Sequence, residues 1–524
     1  MKTKIYRILI TLIIGIIYFY LLLPPINIHA KEFYSFLFFI LIIYLMTSIL
    51  SVKELPNILI NKFKKNKRNY FILILPALIL ILLAINIFNS PLFMANSYHN
   101  RISITDANFS EDIKEVDFNS LPLLDKDSSQ KLGDRVMGQM PELVSQFSVS
   151  NLYTQINYNN DIIRVTPLEY ADFIRWFSNR KDGIKGYITV NSVNGESDLI
   201  KLDKGMKYMP SAYFNDNLYR YLRFKYPTTI FGNINFEIDN EGKPYWIIPT
   251  IKYEAIGLRK DVTGVIILDP ITGNTKRYKN SDIPTWIDHV YSADLIISQV
   301  NDWGKYVNGY FNSIFSQKNV VKTTEGYNYL AQNDDIYLYT GITSATQDES
   351  NIGFILTNLR TKETHFYKVP GAEEYSAMAS ALGQVQQMSY TSSFPLLINL
   401  NNRPTYLMSL KDNAGLVKMY AFVDVEDYQK VSVTDISEGI TSASLKYLSK
   451  YNSSSLIEKE ITIKEINSVL IDGNTYYYIK DNDSKYRVSI KIDENNLPFV
   501  KINDTLLVKY KDGETKEIIS IGEK

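Results

Sequence analysis

The sequence contains no cysteine, which excludes disulfides, thiolate metal sites and cysteine nucleophiles. Histidine is scarce: His29, His99, His289 and His365 are the only four in 524 residues. None falls in an HExxH spacing, and no GxSxG, Walker A or GxGxxG pattern occurs. Net charge is also missing, since 56 Lys+Arg offset 56 Asp+Glu. That zero averages two unlike parts. Residues 1–88 carry ten basic and two acidic residues, and the remainder carries 46 basic and 54 acidic. A mildly acidic remainder offers no electrostatic footprint for nucleic acid. What is present in quantity is hydrophobic content, 45%, enough for ordinary globular cores; the length implies more than one domain.

Three apolar runs open the chain, at 8–23, 33–50 and 70–88. Each approaches the roughly 20 residues that cross ~30 Å of hydrocarbon. The third contains Pro76, which membrane helices tolerate. Basic residues set the orientation. Lys2, Lys4 and Arg7 precede the first run, the first loop has only Lys31, and the second loop has Lys53, Lys62, Lys64, Lys65, Lys67 and Arg68. The N-terminus and second loop are therefore expected in the cytoplasm, and everything after Phe88 outside. This predicts a multi-pass protein of the cell membrane, with the lipid bilayer as a partner and a large extracytoplasmic C-terminal part. The alternative for the first run is a cleaved signal peptide ending near Ala30, although Ile28 stands where a small residue is wanted.

Residues 89–209 read as an arm, with a short helix near 128–137, followed by a helix and a hairpin. The helix is placed at 167–179 on the spacing of Leu168, Phe173, Ile174 and Phe177. The hairpin follows Gly186 and turns at Asn194-Gly195. Residues 210–282 then run helix, strand, turn, strand, loop, strand. Residues 371–434 run in the same order. There Tyr375, Met378, Ala379, Leu382 and Val385 define one face of a helix, and apolar strands follow at 396–400, 406–410 and 417–423. Turn residues correspond, Asn240–Gly242 with Asn401-Asn402 and Pro244 with Pro404, so a degenerate repeat over 210–279 and 371–434 is expected. Convergence on a common helix-plus-hairpin pattern is the other reading.

The strand reading Val265-Ile-Ile-Leu-Asp269-Pro-Ile-Thr272-Gly273 carries a resemblance. Helix, hairpin and a last strand ending in Asp-x-x-Thr-Gly resemble a PepSY domain, over about 130 residues for the two copies. The second copy has Asp424-Val-Glu-Asp-Tyr428 and lacks the Thr-Gly. PepSY domains are small extracytoplasmic modules of protease propeptides and envelope membrane proteins. The resemblance implies binding or modulation of an envelope protein, with no catalytic residues to carry over.

Between the copies, 283–370 is read as a long helix over 283–315, containing Gly304 and Gly309, followed by a strand and a hairpin. A polar connector is expected at 435–459. Residues 460–524 read as five short strands of a small all-β barrel, OB-like or SH3-like, with turns at Asp472-Gly473 and Asp512-Gly513. The fold class is thus α+β: three N-terminal transmembrane helices, an ectodomain of helix-on-antiparallel-sheet PepSY-like units, and a C-terminal barrel.

Chemistry is thinly signalled. The one His–carboxylate cluster is Asp288-His289 with Asp282 and Asp294 nearby, read as a solvated helix surface. Ser376 and Ser380 have no base nearby in sequence. The acidic stretches 333–335 and 347–351 lack EF-hand spacing. No catalytic, cofactor-binding or metal-binding residue is assigned. Tyrosine, by contrast, is abundant at 39 residues, and Tyr476, Tyr477 and Tyr478 lie in succession on a barrel strand, so at least one faces outward. They form the candidate binding surface, unless tyrosine serves only as a strand former. The functional expectation is a non-enzymatic envelope scaffold or regulator that binds another extracytoplasmic protein. A cell-wall glycan or small-ligand binder is the alternative, and an envelope hydrolase, which would need a close carboxylate pair in a pocket, is third.

Overall fold

The computed structural model describes residues 2–50, 70–118, 121–332, 334–345, 347–451, 456–471, 474–511, 513 and 515–522. It is mixed helix and sheet, 32% and 37%, with separate antiparallel sheets, which places it in the α+β class. Four successive sheets share one topology. In each, two short strands pair with the same edge of a third, the third pairs with a fourth, and the fourth with a fifth, all antiparallel. In sheet I these are Phe147–Val149, Thr154–Tyr158, Asp161–Tyr170, Ile184–Asn191 and Ser197–Met206. In sheet II they are Ile230–Phe231, Asn235–Ile238, Pro244–Ala255, Leu258–Leu268 and Thr275–Lys279. Sheet III uses Val321–Thr323, Asn328–Gln332, Asp335–Ser344, Gln347–Asn358 and Thr364–Tyr367. Sheet IV uses Thr391–Ser392, Leu396–Leu400, Arg403–Lys411, Val417–Asp424 and Val431–Asp435. The sequence predicts two such copies; the topology occurs four times.

A helix precedes each sheet: Lys126–Gly138, Leu218–Lys225, Ala293–Lys305 and Glu374–Gly383. Each starts where a side chain accepts a hydrogen bond from an amide of the first turn: Asp125 from Ser128, Asn217 from Arg220, Ser292 from Leu295 and Glu373 from Ser376. The fourth strand of each sheet ends in a matching turn. The side-chain oxygens of Asn191, Asp269, Asn358 and Asp424 each accept from the amides two and three residues on. Asp269 also accepts the Thr272 hydroxyl at 2.8 Å, and Gly273 takes φ +74°, where only glycine is unstrained.

The sheets stack face to face, so each inner sheet buries both faces. In sheet II, Trp246, Ile248, Ile266 and Leu268 enter a core shared with sheet I, whereas Ile247, Ile251, Val265 and Ile267 enter a core shared with sheet III. In sheet III, Ile336, Leu338 and Ile355 face that second core, and Tyr339, Phe354 and Leu356 face a third shared with sheet IV. This is the two-fold alternation of a strand with apolar residues on both sides, and it explains why these strands read as near-continuous apolar runs. The helices line the same cores: Leu218 and Leu222 in the first, Ile296 and Val300 in the second, Ala377 and Ala381 in the third.

Several sequence expectations are corrected. Residues 167–179 are not one helix: Asp161–Tyr170 is a strand that buries Leu168, and only Phe173–Asn179 is helical, with Trp176 as its buried side chain. The expected helix over 283–315 is two, Ala293–Lys305 and Gly309–Ile314, because Gly309 takes φ +83°. Gly304 does mark close packing, since a Cβ there would lie 2.3 Å from the Val321 carbonyl oxygen. The 374–383 helix buries Ala377 and Ala381, with Val385 just beyond it, whereas Tyr375 and Ala379 are exposed. Ala377 and Ala381 allow close approach, Met378 and Leu382 pack partly on the same core, and Tyr375 faces out. The expected connector at 435–459 contains the helix Ile440–Tyr451, whose Ala443, Tyr447 and Leu448 cover the outer face of sheet IV.

The arm packs across the stack. Ile104–Ala107 adds a parallel strand to Thr364–Tyr367 of sheet III. The Val116 amide then donates to the Asn399 carbonyl in sheet IV, and Leu121 and Leu123 cover that sheet beside the Ile440–Tyr451 helix. Beyond it the last domain has strands Ile457–Thr462, Glu465–Ile471, Asn474–Lys480, Lys485–Ser489, Thr505–Lys511 and Lys516–Gly522. The first two are halves of one bent strand. With that strand as first, the order is 1-2-3-5-4-1, with strands 3 and 5 parallel and the other pairs antiparallel. The expected Asp472-Gly473 turn and Asp512 lie outside the described residues.

Helices Lys2–Leu22, Lys31–Leu50 and Tyr70–Phe88 occupy the three apolar runs. Among the described residues only Ile5–Leu22 is by itself long and apolar enough to cross a membrane, where three spans are expected from sequence. Pro76–Phe88 and Pro91–His99 qualify together only as a pair bent by 48°. Side chains 48–50 and 71–75 lie outside the described residues, which shortens the second and third runs. The second loop, 51–69, is likewise outside them.

All three helices end against sheet II or its helix. The buried Arg223 donates from Nε to the Leu23 carbonyl at 2.9 Å, and from Nη1 to Thr229 at 2.7 Å. The Gly257 amide, at the tip of the sheet II hairpin, donates to the His29 carbonyl at 2.9 Å. Arg259 Nη2 donates to Asn89 Oδ1 at 2.9 Å.

Candidate binding surfaces

The barrel strand Asn474–Lys480 separates the three tyrosines by its two-residue period. Tyr477 turns inward and packs on the barrel core with Ile479. Tyr476 and Tyr478 share the outer face. Their cross-strand neighbours are Val469 and Asn467 on one side, and Arg487 lies opposite Tyr478 on the other. The Arg487 guanidinium lies 5.3 Å from the Tyr476 ring centroid and is held by Glu517 through a 2.7 Å ion pair. Burial raises the Glu517 pKa, and the Arg487 partner opposes that shift. Two aromatic faces beside a fixed planar cation can stack on a flat ligand and donate to it. Sequence places the tyrosines here; Arg487 joins them from the neighbouring strand of the same hairpin, and Glu517 through the pairing of strands 3 and 5.

A second surface is an open cleft of about 570 Å³ between the hairpins of sheets I and II. Its walls include Tyr158, Tyr187, Asp198, Lys201, Glu241 and Lys243. Tyr187 donates to the Gly242 carbonyl at 2.7 Å, which fixes one wall. Lys243 reaches Asp269 Oδ2 at 3.3 Å and ties the cleft to the Asp-Pro-Ile-Thr turn. Both charge signs beside aromatic walls suit a polar peptide or a saccharide. Neither the cleft nor its residues were legible in sequence, because they come from two separate sheets.

The His–carboxylate cluster sits elsewhere than expected. Asp288 and His289 are buried at 2% and 8% exposure and lie in the loop before the Ala293–Lys305 helix, whereas Asp282 and Asp294 are exposed. Glu237 of sheet II, at 0% exposure, accepts from the Asp288 and His289 amides at 2.9 and 3.1 Å. Asp288 Oδ2 accepts from the Asn157 amide of sheet I at 2.8 Å, and His289 Nε2 donates to the Gln155 carbonyl at 2.6 Å. The two carboxylates that a hydrolase would require are therefore close, but they are sealed and used to join sheets. A parallel junction joins sheets III and IV: the fully buried Glu374 accepts from the Tyr339 hydroxyl at 2.8 Å, and Asn351 donates to it at 3.3 Å. Ser376 and Ser380 are half-buried, and Ser376 binds the capping Glu373. Among the described residues no group of three His, Asp or Glu is arranged to hold a metal.

Burial pushes the Glu237 carboxyl up to about 7 against the two amides it accepts from, and burial, with the Glu237 charge adding to it, raises Asp288 well above the usual range. Burial depresses His289 to about 4, against hydrogen bonding to Gln155, with nearby Arg164 acting in the same direction as burial. The signs differ. The Glu237 contribution is complete below its free value of 4.5 and is lost as pH rises through about 7. The His289 contribution is complete above 6.5 and is lost as pH falls through about 4. Thermal unfolding of the intact chain is therefore expected at its highest temperature in mild acid, falling as pH rises through neutrality. Glu237→Gln should flatten that alkaline limb; an unchanged limb would refute the assignment.

No family model and no curated protein matches the chain.

Proposed function

We propose that the chain is a membrane-anchored scaffold or regulator of a bacterial envelope, non-enzymatic, that binds another extracytoplasmic protein. The carrying observation is that Leu23, His29 and Asn89, at the ends of three apolar helices, all reach sheet II or its preceding helix. That convergence is consistent with three spans whose outer ends lie on one side of a bilayer, and the basic residues before the first run and in the second loop put the N-terminus on the cytoplasmic side. The sheet stack then stands on that side as a rigid platform, with the cleft between sheets I and II open to a partner. The four sheet units are read as PepSY-like, with the Asp269-x-x-Thr272-Gly273 turn as the most typical. In that reading the partner is an envelope protein.

The test is a photo-crosslinking residue at Lys201, on the cleft wall, in the full chain in its own membranes. A single stoichiometric adduct is expected, and it should disappear when Asp198→Lys is added. Adducts that ignore the second change, or uncrosslinked chain alone, would overturn the reading.

Glycan binding is favoured by a separate observation, the outward pair Tyr476 and Tyr478 beside Arg487. It predicts that the intact chain co-sediments with purified wall polymers, and that Tyr478→Ala abolishes this with no change in unfolding temperature. Equal sedimentation of both forms would remove the tyrosine face from consideration.

A further inference from the structure

The short helix Phe173–Asn179 presents its large apolar side chains to solvent: Phe173 is 43% exposed, Ile174 66% and Phe177 53%. Phe214, 56% exposed, extends this patch through a ring contact with Phe173 at 6.3 Å. Scattered exposed apolar residues are ordinary, but four side by side mark an interaction surface. The patch is linked to the membrane helix. Arg220 donates from Nη1 to the Phe214 carbonyl at 2.7 Å and from Nε to the Tyr20 carbonyl at 3.2 Å, and its guanidinium lies 4.2 Å from the Tyr20 ring centroid. Phe224, 54% exposed, packs edge-on against Phe19 at 5.8 Å.

Tyr20 and Phe19 lie in the last turn of the Ile5–Leu22 span, at the depth where head groups meet acyl chains. Phe224 beside them is at that depth, and Arg220 carries the contact on to Phe214. The flanking charge fits as well. Arg180 stacks 3.9 Å from the Phe177 centroid, and Lys181 follows it. Aromatic and branched apolar side chains bordered by Arg175, Arg180 and Lys181, with Asp172 paired to Arg175 and Asp182 exposed beside Lys181, carry the apolar and basic groups that a membrane interface takes up.

We propose that the Phe173–Phe177 and Phe214 patch lies in the outer leaflet of the bilayer crossed by the chain's own first helix, so that sheet I rests on the membrane beside its anchor. The occupant is phospholipid, at the head-group and upper acyl boundary. The proposal rests on the membrane-anchored reading above. It adds that the ectodomain is held flat by side-chain insertion as well as tethered.

The absence of cysteine makes the test direct, because one introduced cysteine carries one label. Ile13→Cys, Ile174→Cys, Phe177→Cys and Asn495→Cys are each labelled with an environment-sensitive fluorophore in the full chain. The proteins are reconstituted into phospholipid nanodiscs with and without a mixture of lipids brominated on the upper and on the terminal acyl carbons, which reaches both the interface and the bilayer centre. Quenching is expected at 13, 174 and 177, with none at 495, a water-exposed barrel position. Quenching at 13 without quenching at 174 and 177 would overturn the proposal and leave the anchor intact, whether water or another protein covers the patch. No quenching at 13 would overturn both. Equal quenching at 495 would mean collisional access everywhere and would also overturn the insertion.

Discussion

Arg223→Ala is expected to separate the first apolar helix from sheet II and to cost roughly 2–5 kcal/mol of stability, at about 1–3 kcal/mol for each buried carbonyl left without a donor. Arg223 is 5% exposed and supplies the donors for the Leu23 and Thr229 carbonyls at 2.9 and 2.7 Å. It also reaches Tyr226 and Pro227 at 3.2 and 3.3 Å, where the Leu218–Lys225 helix ends and its carbonyls have no helical partner. Burial lowers its pKa to about 10, which still leaves it charged at neutral pH. A planar fork that serves several carbonyls at once is not reproduced by an ammonium, so Arg223→Lys should recover little. Hydrogen exchange reads the result: amides near 23–30 and 226–231 should lose protection together in both variants. Protection lost in only one of these segments would show that the side chain does not couple them.

The second large effect is expected at Trp246, the largest fully buried side chain. Trp246→Ala should cost about 3–5 kcal/mol through lost burial and the cavity left behind. The indole packs at 5.1 Å from Phe236, and its N–H donates to the Tyr208 carbonyl at 2.9 Å. Because this core is filled from sheets I and II together, exchange protection should fall in both sheets, while the barrel, with a core of its own, keeps its protection. Trp246→Phe separates the two contributions, since it restores most of the packing and leaves the Tyr208 carbonyl without its donor. Loss confined to sheet II would mean that the sheets do not share a cooperative core.

The sequence made individual elements legible, and the stack much less so. The Asn194-Gly195 hairpin, the short helix near 128–137 and the 396–400 strand are local, and local chemistry determines them. The four-fold topology is half visible because element order and the Asn turn before a proline, Asn240–Gly242 with Pro244 and Asn401-Asn402 with Pro404, mark only sheets II and IV. The shared physical feature is an Asn or Asp at the end of an apolar strand accepting from two amides ahead of it, and Asn191, Asn358 and Asp424 satisfy it without the Thr-Gly that follows Asp269. Residues 167–179 misled for a related reason. Leu168 belongs to a strand buried on sheet I and Phe173 to an exposed helix, yet their spacing mimics one helical face. The barrel tyrosines are legible in composition, but Arg487 needs the register of the hairpin, and Glu517 needs the pairing of strands distant in sequence. The cleft and the patch at Phe173 are products of juxtaposition, which periodicity does not encode.

The arm across sheets III and IV bears on the order in which the protein matures. Stacked sheets that touch only their neighbours can assemble from the first toward the last as the chain emerges. Here Ile104 must wait for Thr364, and the Leu123 carbonyl for the Ser409 hydroxyl that donates to it at 3.0 Å. The segment leading into the first sheet is secured by residues synthesised nearly 300 positions later. Pairings at such separation carry a large loop-closure cost and form slowly. During synthesis the early sheets therefore stand half-covered until the fourth is made, and that interval is when this chain most needs protection from aggregation.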